Sequence, residues 1–459
     1  MWRPHHLKLL LNGKLNVDSR DWNGRTPLMY AAAAGMTEIA ISLVKAGADL
    51  WMKDSLYGNH DFLHYAVLST HWDLAIEVLD FVRQSPMFSS DEVCSLLNNA
   101  VIHWAGETSE QQKSEYLDSL LNWGADPEVR FTVRWKWHRE ENNTLLHCIS
   151  TLRDFDSLVT NGFKSFNYVN DSGAHPLMKL VEWNDPQLLR QCIGSGSQVN
   201  NQDYTGRTAL HVNAESIWES FFNDFSNTWD FRYNVFECVG ELLVHGSDPF
   251  LGDKCHCACS TSGCTPISIL LKEYHELWEI RYPCLPRCQY FLGLEWLDLI
   301  RKINGLEHAR QCLLDIIRLV RFEELELTHT CCRRRKLSTE WKGLWTLMDE
   351  DEADEILDEE KEGVSKLESQ MCDIEKHIYL SYSGSELEAI FFPEVTKLIQ
   401  IRNKRQRSLF LESQYYCDKN VSFSCEHRKG YNLLTYPIIA EPPEGSRIWY
   451  LKPPRSTKR

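Results

Sequence analysis
Apolar residues return to the same local setting along this chain. Leu28 follows Asp21-Trp22-Asn23-Gly24-Arg25-Thr26-Pro27 and leads into the run Ala31 to Ala34. Asn23-Gly24 tolerates positive φ. The Thr26 hydroxyl suits a helix N-cap, and Pro27 falls where a missing N–H costs nothing. A turn and then a short, closely packed helix are predicted. A second helix is predicted over 37–46, with Ile39, Leu43 and Val44 as its apolar stripe and Gly47 as its left-handed cap. The leucine of the first helix reappears as Leu63, Leu97, Leu146, Leu177 and Leu210, and as Ile267. The closing turn reappears in phase, as Gly47-Ala48-Asp49, Gly124-Ala125-Asp126-Pro127 and Gly246-Ser247-Asp248-Pro249. The Leu97 copy is the most degenerate, lacking both the Thr and the Pro.

Three stretches break the pattern. Phe131, Val133, Trp135 and Trp137 alternate with Thr132, Arg134, Lys136 and His138, a period of two that predicts an extended strand with one aromatic and one basic face. The insert 218–233 is crowded with aromatic residues, and Phe222, Phe225 and Trp229 have helical spacing, which predicts an insert helix buried against the repeats. From Tyr290 onward, Leu294, Leu297, Ile300 and Ile303 mark one amphipathic helix. Leu306, Ala309, Leu313, Ile316, Ile317 and Val320 mark a second. Val364, Leu367, Met371, Ile374 and Ile378 follow a 3-4-3-4 pattern, too short for a coiled coil and read as packing on the repeats.

The unit Thr26-Pro27-Leu28-Met29-Tyr30-Ala31 resembles an ankyrin repeat, whose signature is Thr-Pro-Leu-His-x-Ala, with Met29 where the family has His. The intervals Leu28–Leu63, Leu63–Leu97 and Leu177–Leu210 are close to the family's period of about 33 residues. The resemblance implies an all-α fold, an ankyrin-repeat solenoid of helix-turn-helix units with short β-hairpin fingers. It is expected over residues 1–275 as about seven repeats, the first truncated and several degenerate or interrupted. A helical cap is expected over 276–410, with an acidic segment at 349–362 read as a solvated helix face, and a loosely ordered tail over 411–459. Residues 1–17 look like the second half of a repeat, a natural short cap or the start of a fragment. His64, His147 and His211 fall at the signature position, so hydrogen bonding to neighbouring turns is expected of them rather than catalysis. The Cys-rich stretch near 255 and His329-Thr330-Cys331-Cys332 are similar to a group of large fungal ankyrin proteins, a likeness that brings no activity with it.

Charge and cysteine content narrow the function. The formal net charge is −16, which argues against nucleic acid or an anionic membrane as the partner of the whole chain. No apolar window reaches a membrane span of about 20 residues. With no secretion signal, the 16 cysteines are read as reduced thiols in an intracellular, cytoplasmic or nuclear protein. Cys255, Cys257, Cys259 and Cys264 form one candidate metal site, a structural Zn²⁺. As a strand, residues two apart would turn Cys255, Cys257 and Cys259 to one face, with His329, Cys331 and Cys332 as further ligands if the cap folds back. Reduced thiols on a finger, or a local disulfide, are the alternatives. No nucleophile elbow, phosphate loop or His-Glu-x-x-His appears, so the chain reads as a non-catalytic scaffold for other proteins. Trp135, Trp137, Arg134 and Lys136 are its candidate contacts, because Trp and Arg dominate hot spots; the same aromatic face would also serve as packing against neighbouring fingers. A metal-binding or thiol-based regulatory protein is the alternative.

Overall fold
The computed structural model describes residues 16–401 apart from 56–59, 103–109, 135–138, 224–228, 273–284, 332, 335–344, 347, 382–389, 392, 395–396 and 398–399. Residues 1–15 of the N-terminal half-repeat, Trp135, Lys136, Trp137, Cys332 and the tail over 411–459 lie outside the described residues.

Helical hairpins follow one another along the chain. The first pairs Pro27–Ala33 with Thr37–Lys45. Thr26 caps its first helix by accepting from the Met29 N–H at 3.4 Å. The second helix ends where Gly47 takes φ +89°, in the left-handed region that favours glycine. The next pairs Phe62–Leu68 with Trp72–Gln84, capped by Asp61, whose carboxylate accepts from the His64 N–H at 3.1 Å. Ser90–Ile102 and Glu110–Asn122 form the third. Although the Thr-Pro signature is missing there, Ser89 accepts from the Glu92 N–H and Glu92 from the Ser89 N–H, so the degenerate copy starts with a different cap.

First helices lie beside first helices and second beside second: Pro27–Ala33 packs on Phe62–Leu68, and Thr37–Lys45 on Trp72–Gln84. All seven residues of the predicted row, from Leu28 to Ile267, are buried in one continuous core. Each hairpin buries its apolar face against its neighbours, which is why the unit must repeat to be stable.

Departures from the pattern are also visible. Phe131–Arg134 and Arg139–Asn143 form the expected hairpin, antiparallel, with Phe131 opposite Asn143 and Arg134 opposite Arg139. Among the described residues the aromatic insert makes no helix of its own. Its residues prolong both helices of the sixth hairpin, Ala209–Asn223 and Trp229–Val244. The sequence has neither glycine nor proline between Ala209 and Val239, so nothing local ends those helices sooner.

Beyond the short helix Pro266–Leu271, Leu285–Ile303 packs on both that helix and Trp229–Val244, the place of a second helix in the seventh hairpin. Leu306–Glu324 covers Pro266–Leu271 in turn, and Lys361–Ser381 covers Leu306–Glu324 with Leu367 and Ile378 buried. Glu350–Glu359 turns most of its acidic residues to solvent and buries Ala353. No helix among the described residues is long and apolar enough to cross a membrane.

Candidate functional site
Between hairpins the chain makes finger loops with a common frame. Asp203 receives N–H groups on one carboxylate oxygen from Thr205 and Arg207, both at 2.9 Å, while its own N–H donates to the Arg207 carbonyl. Asp21 does the same with Asn23 and Arg25, and Asn170 with Ser172 and Ala174. One short acceptor thereby ties off two backbone donors, the usual role of Asx in a tight turn. Gly206 sits at φ +83°, and a Cβ there would meet the Lys254 N at 2.7 Å, so the next finger passes where only glycine leaves room. Fingers are joined edge to edge, Ser55 N–H to the Asn23 carbonyl at 2.9 Å and Lys254 N–H to that of Thr205 at 2.8 Å.

The signature histidines interlock these loops. His211 Nδ1 accepts from the Thr208 N–H at 3.0 Å, which leaves the proton on Nε2 to donate to the Cys264 carbonyl at 2.9 Å. His147 repeats this between Thr144 N–H and the Ala174 carbonyl. Burial pushes the His211 imidazole down to about 3, so it stays neutral and keeps this tautomer. These are structural roles, as expected. His64 is anchored to Asp61 in the same way.

The last finger keeps the frame and changes its content. Asp253 Oδ1 accepts from Cys255 N–H at 3.1 Å and Cys264 N–H at 2.7 Å, so Cys264 stands where Arg25 and Arg207 stand in other fingers. Between Asp253 and Gly263 lie nine residues, where Asp21-Gly24 and Asp203-Gly206 enclose two. The added segment carries Cys255, Cys257 and Cys259. It is irregular rather than a strand, and this corrects the expectation that those three would share a face and form one site with Cys264. The longer excursion turns at Ala258-Cys259, so alternation no longer applies.

The cysteines instead form one contiguous cluster with Cys331, within which two sets of donors can be told apart. Cys255 Sγ lies 3.0 Å from Cys264 Sγ beside Asp253. Cys257 and Cys259 face the segment after Leu306–Glu324: Cys257 Sγ is 3.8 Å from His329 Nδ1, Cys259 Sγ is 3.6 Å from Cys331 Sγ, and Cys331 Sγ is 3.3 Å from His329 Nδ1. The four donor atoms of Cys257, Cys259, His329 and Cys331 all lie within 4.8 Å of one another, and the three thiols are buried. Cys255, Cys257, Cys259, Cys264 and Cys331 are thiols, not disulfides.

Polar groups hold this junction. Arg318, buried on the Leu306–Glu324 helix, donates from Nε to the Ala258 carbonyl at 2.9 Å. The Thr330 hydroxyl donates to the His256 carbonyl. Glu323 Oε1 lies 3.6 Å from His329 Nε2. Lys272 Nζ lies 3.0 Å from Cys331 Sγ and also against Cys264. Hydrogen bonding, first from Cys255, holds the Cys264 and Cys331 thiols well below the ordinary thiol range. Burial acts to lower the Lys272 ammonium, but the surrounding sulfurs of Cys259, Cys264 and Cys331 hold it well above its usual value. Sequence reading flagged His329 and Cys331 but missed Arg318, Glu323 and Lys272. The signal for Arg318 is a charged residue set within the apolar run Ile316-Ile317 and Leu319-Val320 of an otherwise amphipathic helix.

Of the other predicted contacts, Arg134 lies in the first strand of the long finger. Elsewhere the finger tips carry exposed aromatic side chains, Trp22 at 87% and Tyr204 at 62% exposure, with Tyr30 half-exposed on the first helix.

The family profile described as "Ankyrin repeats (3 copies)" matches residues 3–54. No curated protein matches the chain. Among solved structures, the chain is similar to the ankyrin repeat domain of Bcl-3, a member of the IkappaB family, with 21% identity over 54% of this chain and 94% of that one and a TM-score of 0.33. It is similar to the human ASB11 ankyrin repeat domain, with 17% identity over 53% and 91% and a TM-score of 0.34. A third similarity is to a chain of the Bd0816 predatory endopeptidase of Bdellovibrio bacteriovorus in complex with immunity protein Bd3460, with 19% identity over 50% and 88% and a TM-score of 0.28. Residues 3–54 match the ankyrin-repeat family, and the capped turn-helix-helix unit, its interlocking histidines and its row of buried leucines carry the same ankyrin-repeat solenoid fold along the described residues that follow.

Proposed function
We propose that the protein is a non-catalytic scaffold or adaptor that holds another protein against its finger tips and first-helix face. Ankyrin solenoids as a class offer such a surface. The observation that carries the reading is the exposure of Trp22 and Tyr204 at the same position of two finger loops, one residue after the closing Asp. Large aromatic residues left in water at loop tips fixed by a rigid frame are the residue type that anchors protein interfaces. Arg134, Trp135, Lys136 and Trp137 on the longest finger are proposed to extend this surface. The net charge of −16 favours a protein partner over nucleic acid. Cysteine-rich composition read as reduced thiols, as in the cluster at Cys255–Cys264, favours an intracellular setting, cytoplasmic or nuclear.

Proximity labelling with the full chain, compared with a Trp22→Ala/Tyr204→Ala pair and a Trp135→Ala/Trp137→Ala pair, tests the reading. Partners recovered with the wild type and depleted at least about tenfold with either pair, at unchanged helicity, support it. Equal recovery with both pairs would refute the finger-tip placement.

A further inference from the structure
We propose that Cys257, Cys259, His329 and Cys331 bind one Zn²⁺ ion, which fastens the lengthened last finger to the segment following the Leu306–Glu324 helix. The proposal is independent of which partner the solenoid holds.

The first argument is convergence. Two donors come from the finger and two from a segment 72 residues further on, and they meet at one point. Zn–S bonds of about 2.3 Å set at tetrahedral angles place sulfurs about 3.8 Å apart and put imidazole nitrogen slightly closer. The separations of 3.6 Å between Cys259 and Cys331, 3.8 Å between Cys257 and His329, and 3.3 Å between Cys331 and His329 match those edges.

The second argument weighs the blander alternative, buried thiols acting as small apolar side chains. The added loop reads Lys-Cys-His-Cys-Ala-Cys-Ser-Thr-Ser over 254–262 and has no large aliphatic or aromatic residue except the His256 ring. Ordering nine irregular residues costs conformational entropy, and small thiols alone bury little to offset it. An imidazole set among three thiols adds a polar group that apolar packing would exclude. A metal bond to each supplies what the loop lacks.

The third argument is the surrounding shell. With Nδ1 turned to the sulfurs, the His329 Nε2 points toward Glu323 at 3.6 Å, the carboxylate–histidine pairing that orients a ligating imidazole. Three thiolates around a dication leave one negative charge, and the Lys272 ammonium beside Cys331 offsets it. Arg318 and Thr330 hold the loop carbonyls of Ala258 and His256 from the same side. Soft thiolates with imidazole select zinc over calcium or magnesium, and four protein donors close the coordination sphere, so the ion is structural rather than catalytic.

The neighbouring pair is assigned a different role. Asp253 Oδ1 already serves two backbone donors, as Asp21 and Asp203 do in fingers without cysteines. Cys255 and Cys264 with that carboxylate do not complete a second site, so one ion is expected.

Elemental analysis of the full chain, purified without a metal-affinity tag, tests the proposal. About one zinc per chain is expected, falling below about a fifth in His329→Ala and in Cys331→Ser, and retained in Cys255→Ser. His329→Cys supplies sulfur as the fourth donor and keeps the ion. After exchange with Co²⁺, intense tetrahedral d–d bands are expected, moving to longer wavelength in His329→Cys. Less than about half an equivalent of zinc in the wild type overturns the site. So does zinc that survives Cys331→Ser or departs with Cys255→Ser while helicity is intact. Stoichiometric iron in its place overturns the choice of ion.

Discussion
The fingers at Asp203–Thr208 and Asp253–Thr265 begin and end alike. In both, an aspartate closes the loop on two N–H groups, a glycine at positive φ lets the chain turn, and a threonine precedes the next first helix. One encloses an exposed tyrosine, the other a buried thiol cluster reaching the C-terminal helices. The frame and the content are therefore separable. The closure is local and independent of loop length, so a longer excursion can be added without disturbing the stack on either side.

That separation can be tested at several strengths. The core residues behind the two fingers, Leu210 and Ile267, are both buried, so alanine at either should cost about 3 kcal/mol in urea unfolding of the repeats. A much smaller cost at Ile267 would mean that the altered finger does reshape the core. Asp203→Ala leaves two loop N–H groups and the Thr205 hydroxyl without their acceptor and should cost about 2 kcal/mol. Asp253→Ala should cost a similar amount and also speed the reaction of the buried cysteines with a thiol reagent, which Asp203→Ala should leave unchanged. Acid probes the shared interlock. The folded His211 titrates at about 3, below the ordinary 6.5, so the folded state takes up its proton later than the unfolded state. Its contribution is complete above pH 6.5 and is lost as pH falls, by about 2 kcal/mol between pH 6.5 and 5. His211→Gln should lack that part of the slope; an identical acid profile would remove the imidazole from the account. The smallest effect is expected at the tips. Trp22→Ala should change stability by less than about 0.5 kcal/mol, because the ring is almost wholly in water.

How much of this was readable from residues alone depends on range. Thr26, Pro27 and Gly47 act on their own turn, and Leu28 through Ile267 repeat at a fixed phase, so caps, hairpins and the core row follow from short windows. Ser89 and Glu92 show that even the degenerate copy carries a local start signal. The aromatic insert reads as a separate helix from its spacing, because spacing gives periodicity and not where one helix stops and the next starts. The thiol site was half legible. Cysteine density marked the loop, but alternation supposes a strand, and the segment turns instead. The partners of Cys257 and Cys259 lie 72 residues away, a distance at which spacing within the loop carries no information.

Met29 occupies the place that His147 and His211 hold in later repeats. Its sulfur accepts the Thr26 N–H at 3.4 Å, as an imidazole would. A thioether has no proton to pass on, so it cannot make the onward link to a carbonyl of the following unit that His211 makes to Cys264. The seam between the first two hairpins therefore lacks a rivet present further along, and thermal fraying of the stack should set in at that seam first.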